Sequence, residues 1–166
     1  MKKHILCLIC ILAPLFSHAQ MLKLNKGDFE IAGSATVNSN TIGFETRFGA
    51  FVADYIQTGI NAKWADTNFG TRAAFNLYMI NLFETRTYFI PYAGASIGFG
   101  SLDYDFGGSE SGVEFQLIGG VKYYFADNVS LNTELTIGIS SGETFQGNNE
   151  MDDTEIALRV GLGFLW

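Results

Sequence analysis

The chain has 166 residues, 48% hydrophobic and only 16% charged, with 19 Gly and a formal net charge of −7. That length suits one domain and is too short for two of ordinary size. Both cysteines (Cys7, Cys10) and both histidines (His4, His18) fall at the extreme start. A chain processed after them has no thiol or imidazole, which excludes disulfides, Ser-His or Cys-His nucleophilic machinery and His/Cys zinc sites.

The first segment reads as an export signal. Met1-Lys2-Lys3 is positive, Ile5 to Phe16 is almost unbrokenly apolar, and Ser17-His18-Ala19 offers small residues before a cut at Gln20. This is the layout of a secretory signal peptide, with an apolar part too short to span a bilayer. A retained anchor helix is the bland alternative, and bulky Ile9 argues against lipidation at Cys10. The expected organisation is a signal peptide over 1–19 and one domain over 20–166. Loss of Lys2 and Lys3 leaves 8 basic against 17 acidic side chains, a net charge of −9. That balance argues against nucleic acid as a partner, because phosphate contacts need clustered Lys and Arg.

After the signal, period 2 recurs almost everywhere and no stretch keeps a period of 3.6, as expected of antiparallel strands. Strands are expected at about 28–38, 41–52, 55–64, 71–81 and 87–99, with boundaries uncertain by roughly 2–4 residues. Three more follow. Val113, Phe115, Leu117, Gly119, Val121 and Tyr123 alternate with Glu114, Gln116, Ile118, Gly120, Lys122 and Tyr124. Val129, Leu131, Thr133, Leu135 and Ile137 alternate with polar or small residues, and the last segment alternates from Ile156 to Trp166. The total is eight strands.

The connections differ in character. Val52-Ala53-Asp54, Asn81 to Arg86 and Ala126-Asp127-Asn128 are compact turns. Ala65 to Gly70, Gly100 to Gly112 and Ile139 to Asp153 are polar and mostly longer, with Asn38-Ser39-Asn40 the short exception. Short turns at one end and longer loops at the other describe an up-and-down barrel. Phe51-Val52-Ala53-Asp54-Tyr55-Ile56 is echoed by Tyr124-Phe125-Ala126-Asp127-Asn128-Val129. Half-barrel duplication explains this, and so do two turns meeting the same geometric demand.

Alternation alone does not say whether the apolar face meets a core or lipid, so a soluble lipocalin-like barrel is the competing reading. One face of every expected strand is free of charge, while the other carries Glu30, Glu45, Arg47, Lys63, Arg72, Glu114, Lys122, Glu134 and Arg159. That polar face is also rich in glycine (Gly43, Gly49, Gly59, Gly94, Gly98, Gly120, Gly138, Gly161, Gly163). A soluble exterior gains nothing from glycine. An eight-stranded lumen is filled by side chains, so small residues must alternate with bulky charged ones. A charge in lipid costs about 2–4 kcal/mol at the midplane, so the charge-free face fits hydrocarbon. Aromatics agree: Phe29, Tyr55, Phe83, Tyr88, Tyr123, Phe125 and Trp166 lie toward the short-turn end, and Phe44, Trp64, Phe69, Phe99 and Phe115 toward the other. Two such girdles suit the membrane interfaces.

Several segments carry a resemblance: Gly49-Ala50-Phe51-Val52-Ala53-Asp54 leading to Gly59, Pro91-Tyr92-Ala93-Gly94-Ala95, Gly119 to Asn128, and a terminal aromatic at Trp166. Together they resemble the small outer-membrane β-barrel proteins of Gram-negative bacteria, the OmpA/OmpX-type or porin-family barrel domain. The resemblance implies an all-β, eight-stranded antiparallel up-and-down transmembrane β-barrel in the outer membrane. It also implies that Phe164 and Trp166 act as the terminal signal read by the barrel-insertion machinery, in a family that usually ends in Phe. Without a peptidoglycan-binding domain, cell-wall anchoring is not carried over.

Two groups of residues stand as candidate sites. The near-balanced lumen charges suggest pairing, since an unpaired charge in a narrow lumen is costly. A mid-barrel ion-pair plug is expected to include Glu45, Arg47, Glu134 and Arg159, as a switchable gate or as structural filling. The acids of the third and fourth loops, Asp103, Asp105, Glu110, Glu143, Glu150, Asp152 and Asp153, stand without a Lys or Arg among them. Asp103, Asp105, Asp152 and Asp153 are the candidates for a divalent cation, against the plainer reading of solvated loops. No catalytic residue, resident metal or cofactor is expected, because hydrolases of this barrel size need a His base. The expected role is structural or interaction-based: envelope integrity, adhesion or a subunit of a larger complex, with Tyr104, Phe106 and Phe145 as loop contacts. A narrow channel is the alternative. Expected partners are outer-membrane lipid and lipopolysaccharide, the insertion machinery and another outer-membrane protein.

Overall fold

The computed structural model describes residues 23–37, 41–146 and 151–166. The signal segment over 1–19, the 38–40 tip and Glu150 lie outside the described residues, as does the side chain of Asp152. Ten strands follow in chain order: β1 (Phe29–Val37), β2 (Thr41–Ala53), β3 (Ile56–Thr67), β4 (Gly70–Leu82), β5 (Phe89–Tyr104), β6 (Ser109–Ala126), β7 (Val129–Ser140), β8 (Phe145–Gln146), β9 (Met151–Asp152) and β10 (Thr154–Leu165). β8 and β9 form a small hairpin of their own; the other eight close into a barrel in the order β1-β10-β7-β6-β5-β4-β3-β2, with every pair antiparallel. Closure gives each barrel strand a neighbour on both sides, and that removes the unpaired edges hydrocarbon does not tolerate.

Alternation places the apolar row outside. Phe44, Phe75, Leu77, Ile97, Leu117, Leu135, Ile137 and Leu158 are all exposed, while the nine charged residues of the opposite face turn into the lumen. At the turn end Phe29 stacks on Phe48 and on Trp166 at ring separations of 6.2 and 6.4 Å. Further along the wall Phe44 stacks on Trp64 at 6.4 Å.

Three expectations need correction. The first concerns the loops. Ala65 to Gly70 is no loop, because β3 and β4 pair as far as Thr67 and Gly70 and leave a two-residue turn. Likewise β5 and β6 pair up to Asp103 and Ser109, so most of the expected third loop is sheet. Strands long enough to pass the membrane keep pairing beyond it, which also lets Asp66 and Asp103 sit exposed on outer faces. The second concerns the girdle: Tyr55 and Tyr88 pack against the interior instead.

The third concerns the lumen, which is not polar throughout. Phe51, Tyr78, Ile80, Leu82, Ile90, Tyr92, Ile118 and Tyr124 pack together inside the turn end, closed from below by Leu24. The N-terminal segment is held there by its backbone: Tyr55 N donates to Leu24 O at 3.3 Å and Gly27 N to Phe51 O at 2.8 Å. The two echoed segments share a device. Each has a register shift, Phe51/Ala53 and Tyr124/Ala126, followed by a two-residue turn. In each case the second turn residue accepts a backbone hydrogen bond, Tyr55 O from Leu82 N at 2.7 Å and Asn128 O from Leu165 N at 2.8 Å.

Candidate functional site

The lumen holds a column of ion pairs built by side chains that period 2 sends inward from β1, β2, β3, β4, β6, β7 and β10. Next to the apolar turn-end core, Glu30 accepts hydrogen bonds from Lys122 Nζ and from Gln57 Nε2, the latter at 2.8 Å. Lys122 Nζ also lies 5.8 Å from the Tyr92 ring centre. Tyr92 fits because Gly120 faces it: a Cβ there would lie 2.5 Å from the ring's Cζ.

At mid-barrel Arg47 of β2 spans the lumen to Glu134 of β7, with Nη1 to Oε2 at 2.9 Å and Nη2 to Oε1 at 3.0 Å. The same guanidinium donates to Glu45 Oε1 from Nη2 at 2.7 Å and from Nε at 3.2 Å. Tyr92 OH donates to Glu134 Oε2 at 3.0 Å, and the Tyr78 ring lies under Arg47 at 4.9 Å. Arg159 sits directly opposite Glu134 in the β10–β7 ladder. It reaches Glu134 at 3.4 Å, Glu45 at 3.6 Å and Glu155 at 3.5 Å. Glu45, Arg47, Glu134 and Arg159 therefore meet in one cluster. Bidentate, charge-assisted contacts of this kind are the strong class of hydrogen bond.

Toward the loop end Lys63 lies 3.7 Å from Glu45 and donates to Gln116, and Arg72 pairs with Glu114. The segment after β7 then folds into the mouth. Thr144 Oγ1 donates to Glu114 Oε1 at 3.3 Å, and the buried Phe145 ring lies 4.6 Å from the Arg72 guanidinium. Gly138 leaves room for that ring, whose Cζ would be 3.2 Å from a Cβ. Two small spaces lie between these groups, one of about 20 Å³ beside Arg47 and Glu134 and one of about 30 Å³ beside Lys63 and Arg72. A single water needs roughly 10–15 Å³ on this measure, so each of the two has room for about one to three waters.

Of the acidic candidates whose side chains are described, Asp103, Asp105 and Asp153 do not form a metal-binding group. Asp103 is exposed on β5, Asp105 lies in the turn after it and Asp153 is exposed between β9 and β10. Among the described residues no group of three or more acidic, His or Cys side chains is placed to hold a metal ion. Phe106 is 94% exposed, and Tyr104 OH donates to Glu110 at 3.1 Å. Phe145 cannot be a surface contact, being 1% exposed; an aromatic in a polar loop finds the barrel mouth before it finds a partner. Phe164 and Trp166 both face outward.

Sequence reasoning missed three contributors. Glu155 stands one residue before the expected start of the last strand, and extending the alternation back from Ile156 finds it. It makes the paired lumen charges five against five. Tyr92 stands in the Pro91-Tyr92-Ala93-Gly94-Ala95 segment, where nothing in the sequence signals its bond to Glu134. The apolar stopper escaped because Ile80, Leu82 and Ile90 are inward residues with outward-looking chemistry.

A closed antiparallel wall, apolar outside and charged or close-packed within, defines a transmembrane β-barrel. Residues 16–164 match the profile of the outer membrane protein beta-barrel domain, and the chain belongs to that family. Its fold is similar to the N-terminal β-barrel domain of Pseudomonas aeruginosa OprF, at 17% identity over 85% of this chain and 98% of that one, with a TM-score of 0.66. It is also similar to Neisserial surface protein A (15% identity, 82% and 94% covered, TM-score 0.58). A de novo designed transmembrane β-barrel shares it as well (12% identity, 87% and 99% covered, TM-score 0.59). At such identities the likeness is one of fold. No curated protein sequence matches the chain.

Proposed function

We propose that this outer-membrane barrel is a closed, rigid support whose role is structural or interaction-based, carried by what it displays beyond the membrane. The observation behind this reading is the filled lumen: an apolar stopper at the turn end, the Arg47–Glu134 cluster at the middle and Phe145 at the loop end occupy its length in series. In this reading the turn end is periplasmic, the acidic loops face outward, residues 1–19 are removed on export, and Phe164 and Trp166 serve insertion. Lipid, lipopolysaccharide and another outer-membrane protein are the partners it calls for. Affinity at the loop end then falls to Phe106, held out by a turn whose Gly107 and Gly108 adopt φ of 90° and 99°, a backbone that other residues rarely adopt.

The alternative of a narrow channel predicts steady current. The full-length processed protein in a planar bilayer is expected to give no stable conductance, and a wide, steady pore refutes the closed-support reading. Native mass measurement after gentle detergent extraction then tests the interaction side, by showing which outer-membrane component travels with the barrel.

A further inference from the structure

The two arginines of the mid-barrel cluster hold the same carboxylates in different ways. Arg47 makes close contacts with Glu45 and Glu134, at 2.7 to 3.2 Å. Arg159 stands off from all of its partners, with Glu134 at 3.4 Å, Glu155 at 3.5 Å and Glu45 at 3.6 Å. Lys63 is 3.7 Å from Glu45. A direct charge-assisted bond closes at about 2.7–2.9 Å, so these four pairs are loose. A polar contact longer than about 3.5 Å raises the question of a bridging water.

Two of the loose contacts meet at one atom. Glu45 Oε2 faces both Arg159 and Lys63, yet it is buried and accepts no hydrogen bond. Glu45, Lys63 and Arg159 are at most 7% exposed, and a buried carboxylate oxygen without a donor is unfavourable. Room for a donor lies on both sides. Glu45 and Arg159 line the space of about 20 Å³, with Arg47, Tyr92 and Glu134, and also the space of about 30 Å³, with Lys63, Arg72 and Glu155. Each is large enough for water, which needs roughly 10–15 Å³.

The chemistry of the lining selects the occupant. Glu45 Oε2 calls for a donor, whereas the Arg159 and Lys63 N–H groups call for acceptors. A small anion offers only acceptors and would be repelled by Glu45; a metal cation offers no acceptor and would be repelled by Arg159 and Lys63. Water supplies both from one atom. We propose that Glu45 Oε2 is the centre of an internal water site with one molecule in each space, the one in the smaller space bridging Arg159 to Glu45 and the one in the larger space bridging Lys63 to Glu45. Arg47 then binds the cluster directly and Arg159 binds Glu45 through solvent. The site depends on the paired lumen charges, and it stands apart from what the barrel displays beyond the membrane.

A crystal structure of the processed chain, at a resolution that places single waters, tests this. A peak is expected in each space within about 2.5–3.0 Å of Glu45 Oε2, and Glu45→Leu should lose both. In micelles, the wild-type Arg159 Nε–H should show an NMR cross-peak to long-lived water, a readout that holds should Glu45→Leu fail to fold. The proposal is overturned by spaces without density, by Arg159 and Lys63 closing directly on Glu45, or by peaks that persist in Glu45→Leu. Anomalous signal at either position in bromide-soaked wild-type crystals also overturns it, because the occupant would then be an anion. So does a wild-type spectrum in which that cross-peak is missing.

Discussion

Replacing Glu134 by Leu tests the mid-barrel cluster at its most connected member. The carboxylate receives two bonds from Arg47 (2.9 and 3.0 Å), one from Tyr92 OH (3.0 Å) and a longer one from Arg159 (3.4 Å). Each charge-assisted bond is worth about 1.5–3 kcal/mol net, so the Arg47 pair alone represents roughly 3–6 kcal/mol. Arg47 keeps Glu45, and Arg159 keeps Glu45 and Glu155, which limits the loss. The expected cost is about 3–5 kcal/mol, the range for breaking a buried pair by removing one partner. Urea unfolding in lipid vesicles, followed by the fluorescence of Trp64 and Trp166, measures it as a shift in midpoint at constant slope. Pairing the change with Arg47→Met in a double-mutant cycle isolates the contact, with a coupling of about 0.5–3 kcal/mol expected. A single-variant cost below about 1 kcal/mol with no coupling refutes the claim that pairing, rather than mere volume, holds the middle of the barrel.

Three further outcomes follow from other parts of the wall and lumen. Phe145→Ala should lower the unfolding free energy by about 3–5 kcal/mol, the usual loss for a buried Phe, whereas Phe106→Ser should leave it within about 0.5 kcal/mol because that ring is solvated. Gly59→Ala should cost about 1–3 kcal/mol in the same titration, since its Cβ would collide with the Phe48 carbonyl of the paired strand; Gly119→Ala, with open space, should not. Leu135→Arg, on the lipid face opposite Leu158, should cost about 2–4 kcal/mol in bilayers.

The wall was legible because it obeys one rule: inward and outward residues alternate, and charge marks the inward set from Glu30 to Arg159. The same rule put Glu134 and Arg159 among the inward residues of consecutive barrel strands, and the register then sets them opposite each other. It could not say that Arg47 reaches across the lumen, because contact between opposite walls depends on barrel diameter and rotamers and leaves no trace in spacing. It also failed where chemistry and direction part company. Ile80, Leu82 and Ile90 read as lipid-facing by type, yet they fill the turn end, where Leu24 closes a core that any folded protein would recognise. Loop lengths were misjudged for a related reason: polar strand ends beyond the bilayer look like loops.

The cross-lumen bonds join parts of the chain that are far apart in sequence. Arg47 and Glu134 are 87 residues apart, and Lys122 and Glu30 are 92. Neighbouring strands can zip locally, hairpin by hairpin, but these contacts exist only after the first and last strands have met. They add nothing to a half-assembled sheet, and they are lost together once the cylinder springs open. Such a molecule folds late and nearly all at once, and long-range pairing makes that step slow. Once sealed, it leaves the membrane-inserted state with correspondingly low frequency.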